Sequence, residues 1–257
     1  MANATRILFI SGEVAPFSEK SHLASIVRSL PESLHESGKY ETRIMMPRYG
    51  TVSERRNRLH EVIRLSGSEI TLGDRTETLR VKVASIPGIR LQVYFMDNDY
   101  YFKRKGIFAD KQDKLFEDNL ERSAFYARAV IRTIRNLGWQ PDLVHAFGWL
   151  SGLVPYVLRT EFGDDELFKD AKVVYTPDTV DFDAKMDEAS FERLSLTPHD
   201  KLLGQEPFEA GQTFADAVIL PPAMAEGADG ATFSGDKEAE MDEATAVYDS
   251  ILTGVPA

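Results

Sequence analysis

Arg6-Ile7-Leu8-Phe9-Ile10-Ser11 (RILFIS), followed by Gly12 and then Pro16, decides the fold. A short apolar run rich in branched residues and stopped by glycine reads as a strand buried on both faces that feeds a loop. A helix is expected next. Leu23, Val27, Leu30 and Leu34 recur at spacings of four, three and four, Gly38 stands where a C-terminal cap belongs, and Pro31 should kink the helix. Thr42 to Met46 (TRIMM) is then a second strand, closed by Pro47.

Downstream the same alternation resumes after a different passage. His60 to Leu65, Glu69 to Leu72, Leu79 to Ile86 and Leu91 to Met96 are strand-like pieces punctuated by Gly and Pro, which read as an antiparallel insertion. From Phe116 to Gly138, Leu120, Ala124, Ala127, Ile131 and Ile134 form one helical stripe, with Asp118 and Glu121 spaced as a capping box. Asp142 to Ala146 (DLVHA), Lys172 to Thr176 and Asp216 to Leu220 (DAVIL) are further buried strands, with helices over Leu150 to Leu158 and around Pro207 to Phe214. Strand, crossover helix, strand units specify an α/β fold, a Rossmann-like doubly wound parallel sheet with a β-rich insertion. Ligands of such sheets sit at the carboxyl ends of the strands, here the loops after Ser11, Met46, Met96, Ala146 and Thr176.

With 257 residues, 43% hydrophobic and 28% charged, the chain can bury a sizeable core, and disorder as the default is excluded. The absence of cysteine excludes a disulfide scaffold, a thiol nucleophile and thiolate metal sites and fits a reducing compartment, and five histidines argue against a metal enzyme. No metal or cofactor is expected. The net charge of −11 disfavours nucleic acid and anionic membrane. Of it, −7 falls between Glu226 and Asp249, where eight acids (Glu226, Asp229, Asp236, Glu238, Glu240, Asp242, Glu243, Asp249) face Lys237 alone. Residues 1–222 therefore read as the folded domain and 223–257 as an acidic, Gly/Ala-rich tail, poorly packed, with one exposed helix over Lys237 to Leu252. Met1 to Arg6 carries little positive charge before the short Ile7 to Ile10, and no run reaches spanning length, so a cytoplasmic protein is expected.

The loops carry words that occur in one order: Glu13-Val14-Ala15-Pro16-Phe17, Pro47-Arg48-Tyr49-Gly50, Tyr94-Phe95-Met96-Asp97-Asn98, Asp118-Asn119-Leu120-Glu121-Arg122, Leu137-Gly138-Trp139 and Pro141-Asp142-Leu143-Val144-His145-Ala146. Together with Ala210-Gly211 and Phe214-Ala215-Asp216-Ala217-Val218, they resemble the N-terminal half of bacterial glycogen and starch synthases, over roughly residues 5–222. The resemblance implies a single lobe of a GT-B fold. It also implies an activity related to glucosyl transfer from ADP- or UDP-glucose to an α-1,4-glucan, with most nucleotide contacts supplied by a second domain.

Three loops depart from the family pattern. Where the family reads Lys-Thr-Gly-Gly-Leu, this chain has Glu19-Lys20-Ser21-His22-Leu23, which sets a carboxylate against a diphosphate and lacks the glycines' close approach. Where it reads His-Asp-Trp-His-Thr-Gly-Leu, the chain has Phe147-Gly148-Trp149-Leu150-Ser151-Gly152-Leu153. The Ile-His-Asn word is here Tyr175-Thr176-Pro177-Asp178.

No residue is assigned a catalytic role. The substrate-binding candidates each have a structural alternative. Glu13 would orient a sugar hydroxyl or bond loop amides. Arg48 and Tyr49 would form a sugar platform or lock the insertion to the sheet. Asp97 and Asn98 would contact sugar or make an Asx turn. Asp118 is an N-cap first and a sugar contact second, with Asn119 and Arg122 in the same turn. His145 is a core histidine before it is a catalyst, and Trp149 a packing residue before it is a platform. Glu54-Arg55-Arg56-Asn57-Arg58 and Lys103-Arg104-Lys105 read as solvated loops. Three functions follow as expectations: a synthase-like lobe inactive alone, which a partner chain would complete; a non-catalytic glucan or sugar-nucleotide binding module; and a scaffold or regulatory subunit. An open polar cavity between Ser18 to Leu23 and Phe147 to Leu150 favours the first two, a closed apolar one the third.

Overall fold

A computed structural model describes residues 4–254. The elements are β1 (Thr5–Ser11), α1 (Leu23–Glu36), β2 (Tyr40–Pro47), α2 (Glu54–Asn57), β3 (His60–Glu61), β4 (Ser68–Leu72), β5 (Arg75–Ser85), β6 (Gln92–Asp97), α3 (Asn119–Leu137), β7 (Leu143–Phe147), α4 (Val154–Glu161), β8 (Lys172–Thr176), α5 (Glu188–Arg193), α6 (Pro207–Phe214), β9 (Ala217–Leu220), β10 (Ala231–Thr232) and α7 (Glu240–Thr253). The sheet runs β10-β9-β8-β7-β1-β2-β6-β5-β3, with β4 paired to β5. From β10 to β6 every pairing is parallel, and the pairings of β5 with β6, β4 and β3 are antiparallel. The α/β doubly wound sheet is therefore present. Leu91 to Met96, read as part of the insertion, supplies β6, which joins β2 in parallel register and leaves β3 to β5 as an antiparallel extension of the same sheet.

Right-handed crossovers assign the helices to faces. α3, α4 and α6 pack against one another on one face, and α1 packs with α7 on the other. Leu23, Val27, Leu30 and Leu34 are all buried, Pro31 lies within α1, and Gly38 after it has φ +72°.

The C-terminal segment corrects the expectation of a poorly packed tail. Phe233, Ala244 and Tyr248 are fully buried, while Met241, Val247 and Ile251 pack on the core. The Tyr248 hydroxyl lies 2.6 Å from His145 Nδ1, and His145 Nε2 lies 2.9 Å from Thr176 Oγ1, so the helix is tied to both β7 and β8. His145 is thus a core histidine, held neutral because burial pushes its pKa well below the usual value. Only one side of α7 faces solvent: Asp242 and Asp249 are exposed, whereas Glu240 is buried and accepts from Ser29 Oγ at 2.5 Å.

Tyr248→Phe should therefore destabilise the fold by about 1–3 kcal/mol, the cost of an orphaned buried polar atom, measured by denaturant unfolding. His145 has a folded pKa below its unfolded value, so the stability it contributes is intact above the unfolded pKa near 6.5 and declines as pH falls below it. Stability curves of the parent protein should show that decline.

Candidate functional site

The carboxyl ends of β1, β7 and β8 converge where the sequence placed the site, but they leave a cleft of only ≈30 Å³. That is room for about a water or two, against the few hundred Å³ of a ligand pocket. Its walls include Leu23, Ile107, Phe108, Phe147, Trp149 and Leu150, with Glu13 and Asp178 as the carboxylates. Three loops meet over it. Phe108 from the β6–α3 loop, Trp149 after β7 and Phe182 after β8 pack edge-on or tilted against one another at centroid distances of 5.4, 5.3 and 5.4 Å. Gly148 permits the turn at φ +76°, and Gly152 lets the backbone approach α6, where a Cβ would lie 2.1 Å from the Pro207 carbonyl.

Each candidate residue has a place. The Glu13 carboxylate accepts from Ser18 Oγ (2.6 Å), Lys20 N (2.8 Å) and Ser21 N (2.9 Å), and so organises the loop before α1. Tyr49 is fully buried and packed edge-on against Phe102, so it presents no face to a sugar. Burial raises its pKa. Trp149 is equally buried, its Nε1 donating to Glu206 at 3.2 Å. Asn98 holds the loop after β6, accepting from Tyr101 N at 2.8 Å, three residues on where an Asx turn would reach two, while its amide donates to the Glu77 carboxylate and the Thr78 carbonyl.

Asp118 corrects the capping-box expectation. It occupies the N-cap of α3 without a side-chain cap bond, because both its oxygens are taken by Arg104, at 2.5 and 2.6 Å. A bidentate charged pair outcompetes a single amide. Asn119 donates to the Phe108 carbonyl, and its Oδ1 accepts from Arg122. Arg122 is fully buried, donates to the Tyr101 and Ile107 carbonyls, and has its pKa lowered to about 10 by desolvation. The trio thus pins the β6–α3 loop against the helix.

Arg48 and Asp97 belong to a buried ion cluster. Asp97, with no exposure, faces Arg48 Nε at 3.2 Å, Lys82 Nζ at 2.9 Å and Arg80 Nε at 3.4 Å. Glu54 closes the ring on Arg48 (2.5 Å) and Lys82 (2.7 Å). The cluster joins β2, β5, β6 and α2, so Arg48 locks the antiparallel extension to the sheet.

An open groove of ≈990 Å³ lies outside these residues, between the β4–β5 turn, the start of α3 and α5. Asp74, Arg75, Tyr100, Tyr101, Asp118, Glu121, Glu192 and Arg193 line it. The Arg75 guanidinium lies 3.9 Å over the Tyr100 ring, Arg104 lies 5.6 Å from it, and Arg193 pairs with Glu121 at 2.7 Å. Of the sequence candidates only Asp118 reaches this groove. Tyr100 was missed although the Tyr100-Tyr101 pair directly after a strand was a visible signal. Among the described residues no metal-binding cluster occurs.

Two changes of the same kind should have opposite signs. Asp97→Asn leaves three cations around a neutral amide and should cost about 3–5 kcal/mol. Asp178 has its pKa raised by burial and by the Glu13 charge, so its favourable contribution is present below the unfolded pKa and lost as pH rises through the folded one. Asp178→Asn should accordingly raise the unfolding temperature at pH 7 and lose that advantage in acid, as calorimetry across pH will record.

The comparisons with known proteins fit this geometry. The model of the starch synthase catalytic domain family matches residues 6–221. The glycogen synthase of Chlorobium limicola is 44% identical over 172 residues, covering 66% of this chain and 35% of that protein. That of Chlorobium phaeobacteroides is 43% identical over 172 residues with the same coverage. The chain thus spans about a third of the length of the curated relatives it matches. The catalytic domain of starch synthase IV from Arabidopsis thaliana, solved bound to ADP and acarbose, superposes with a TM-score of 0.73 over 97% of this chain and 50% of that one. At 17% identity that likeness speaks for the fold. With the family model spanning most of its length over a Rossmann-like parallel sheet, the chain belongs to the starch synthase catalytic domain family of glycosyltransferases and has the fold of one lobe of their GT-B architecture.

Proposed function

We propose that this chain is a glucan-binding lobe, related to glucosyl transfer from ADP- or UDP-glucose to α-1,4-glucan, that does not transfer glucose on its own. One contrast carries the reading: the inner cavity holds ≈30 Å³ while the outer groove holds ≈990 Å³. A nucleotide sugar has no room in the first. The second offers what a neutral polyhydroxylated chain needs, an aromatic ridge at Tyr100 beside carboxylates and guanidiniums able to bond hydroxyls. Its charges are largely paired, as in Arg104 with Asp118 and Arg193 with Glu121, which suits an uncharged ligand.

The small size of the inner cleft also favours a second reading, a scaffold or regulatory subunit that needs no sugar. Electrophoresis through gels containing glycogen separates the two. A glucan-binding lobe is retarded, and Tyr100→Ala, at a position 39% exposed, should weaken retention about tenfold while leaving the fold intact. Unretarded migration rejects glucan binding. Incorporation of labelled glucose from ADP- or UDP-glucose by the purified chain rejects the absence of transfer.

A further inference from the structure

The two edges of the sheet carry opposite and unneutralised charge. At the β3 edge, Arg55, Arg56, Arg58 and Arg64 are exposed and none makes an ion pair among the described residues. Ile63, in their midst, is 76% exposed, the most exposed large apolar side chain described. At the β10 edge, Glu226, Asp229, Asp236 and Glu238 are exposed and likewise without ion pairs. The order β10-β9-β8-β7-β1-β2-β6-β5-β3 puts the edges at opposite ends. Eight strand spacings of about 4.8 Å separate them by roughly 38 Å. The Debye length is about 8 Å at physiological salt, so the two patches cannot neutralise each other within one molecule.

We infer that the occupant of the arginine edge is a second copy of this chain, which docks its acidic β10 edge, with the segment that follows β10, against α2, β3 and the turn bearing Ile63. Complementary charge on the same chain selects that partner. Each edge ends in a strand of two residues, so little hydrogen bonding is on offer and charge leads the contact. The contact is heterologous: one edge of each copy stays free, and the assembly grows with concentration instead of closing as a symmetric dimer.

Sedimentation velocity of the 257-residue chain tests this. In about 0.02 M salt the weight-average sedimentation coefficient should rise with concentration into the millimolar range, and in about 0.5 M salt it should fall to that of the monomer. Two charge-reversed variants complete the test, Arg55→Glu with Arg56→Glu and Arg58→Glu, and Glu226→Lys with Asp229→Lys and Glu238→Lys. All six positions are exposed, and circular dichroism checks the folds. Each variant alone should self-associate at least tenfold more weakly, because two like-charged edges now face each other. Mixing the arginine-edge variant with the parent chain should instead cap growth, since the variant still donates its acidic edge and accepts nothing. A monomeric parent in low salt overturns the proposal. So does salt-independent association, undiminished association of either variant alone, or growth that the arginine-edge variant does not cap. Binding of the arginine edge to a polyanion without self-association would assign it to another partner and overturns it equally.

Discussion

A parallel sheet needs cover on both faces, and that constraint organises this molecule. β7 is buried at every residue and β8 at four of five. α3, α4 and α6 protect one face. On the other, α1 packs on β1 and β2. The segment from Ala231 to Thr253 packs on β8 and β9, burying Phe233, Ala244 and Tyr248. Full burial of each large side chain contributes about 1.5–3 kcal/mol. The bonds from Tyr248 through His145 to Thr176 then fix the helix at one position on the sheet. An acid-rich stretch thereby becomes part of the core.

Closure at the carboxyl ends follows similar physics. Polar groups at a strand terminus hold water and keep neighbouring loops apart, whereas Phe147, Trp149 and Leu150 give them apolar surface to bury. Phe108 and Phe182 accept that offer, and the loops that carry them come down over the cavity. Glu13 is compatible with this environment because three donors satisfy its carboxylate. Asp178 is less well served, and its raised pKa records the cost. The groove proposed for glucan lies outside these aromatic loops, where Tyr100 is exposed.

Much of the fold was legible because buried parallel strands are continuous apolar runs with sharp stops. Arg6 to Ser11, Lys172 to Thr176 and Asp216 to Leu220 each match a strand to within a residue. Helix α7 was partly hidden. Met241, Ala244, Val247, Tyr248 and Ile251 form an apolar stripe at helical spacing, but the acids on its other side dominated the composition. The capping box failed for a different reason: Arg104, fourteen residues from Asp118, is a competitor that local spacing cannot reveal. Arg48, Asp97, Asn98 and Glu13 were recognised as special polar positions; the structural alternatives describe the contacts of Arg48 and Glu13, whereas Asp97 lies in an ion cluster whose partners are distant in sequence. The groove had no local signature at all. It is assembled from residues 72–76, 100–121 and 189–195, three segments brought together only by folding.

The same segregation of charge separates two kinds of recognition. Within the groove, cations and carboxylates neutralise each other at 2.5 to 2.7 Å and present little net field to a ligand. A neutral chain of hydroxyls can exchange hydrogen bonds there without a large penalty for stripping a charge of its water. At the sheet edges the charges stand alone, fully hydrated and readable at a distance. The groove pairs the cations Arg104 and Arg193, whereas the guanidiniums of the arginine edge stand without ion pairs around the exposed Ile63. The proposed glucan and the proposed second copy thus draw on opposite electrostatics, paired charge in the groove and unpaired charge at the edge.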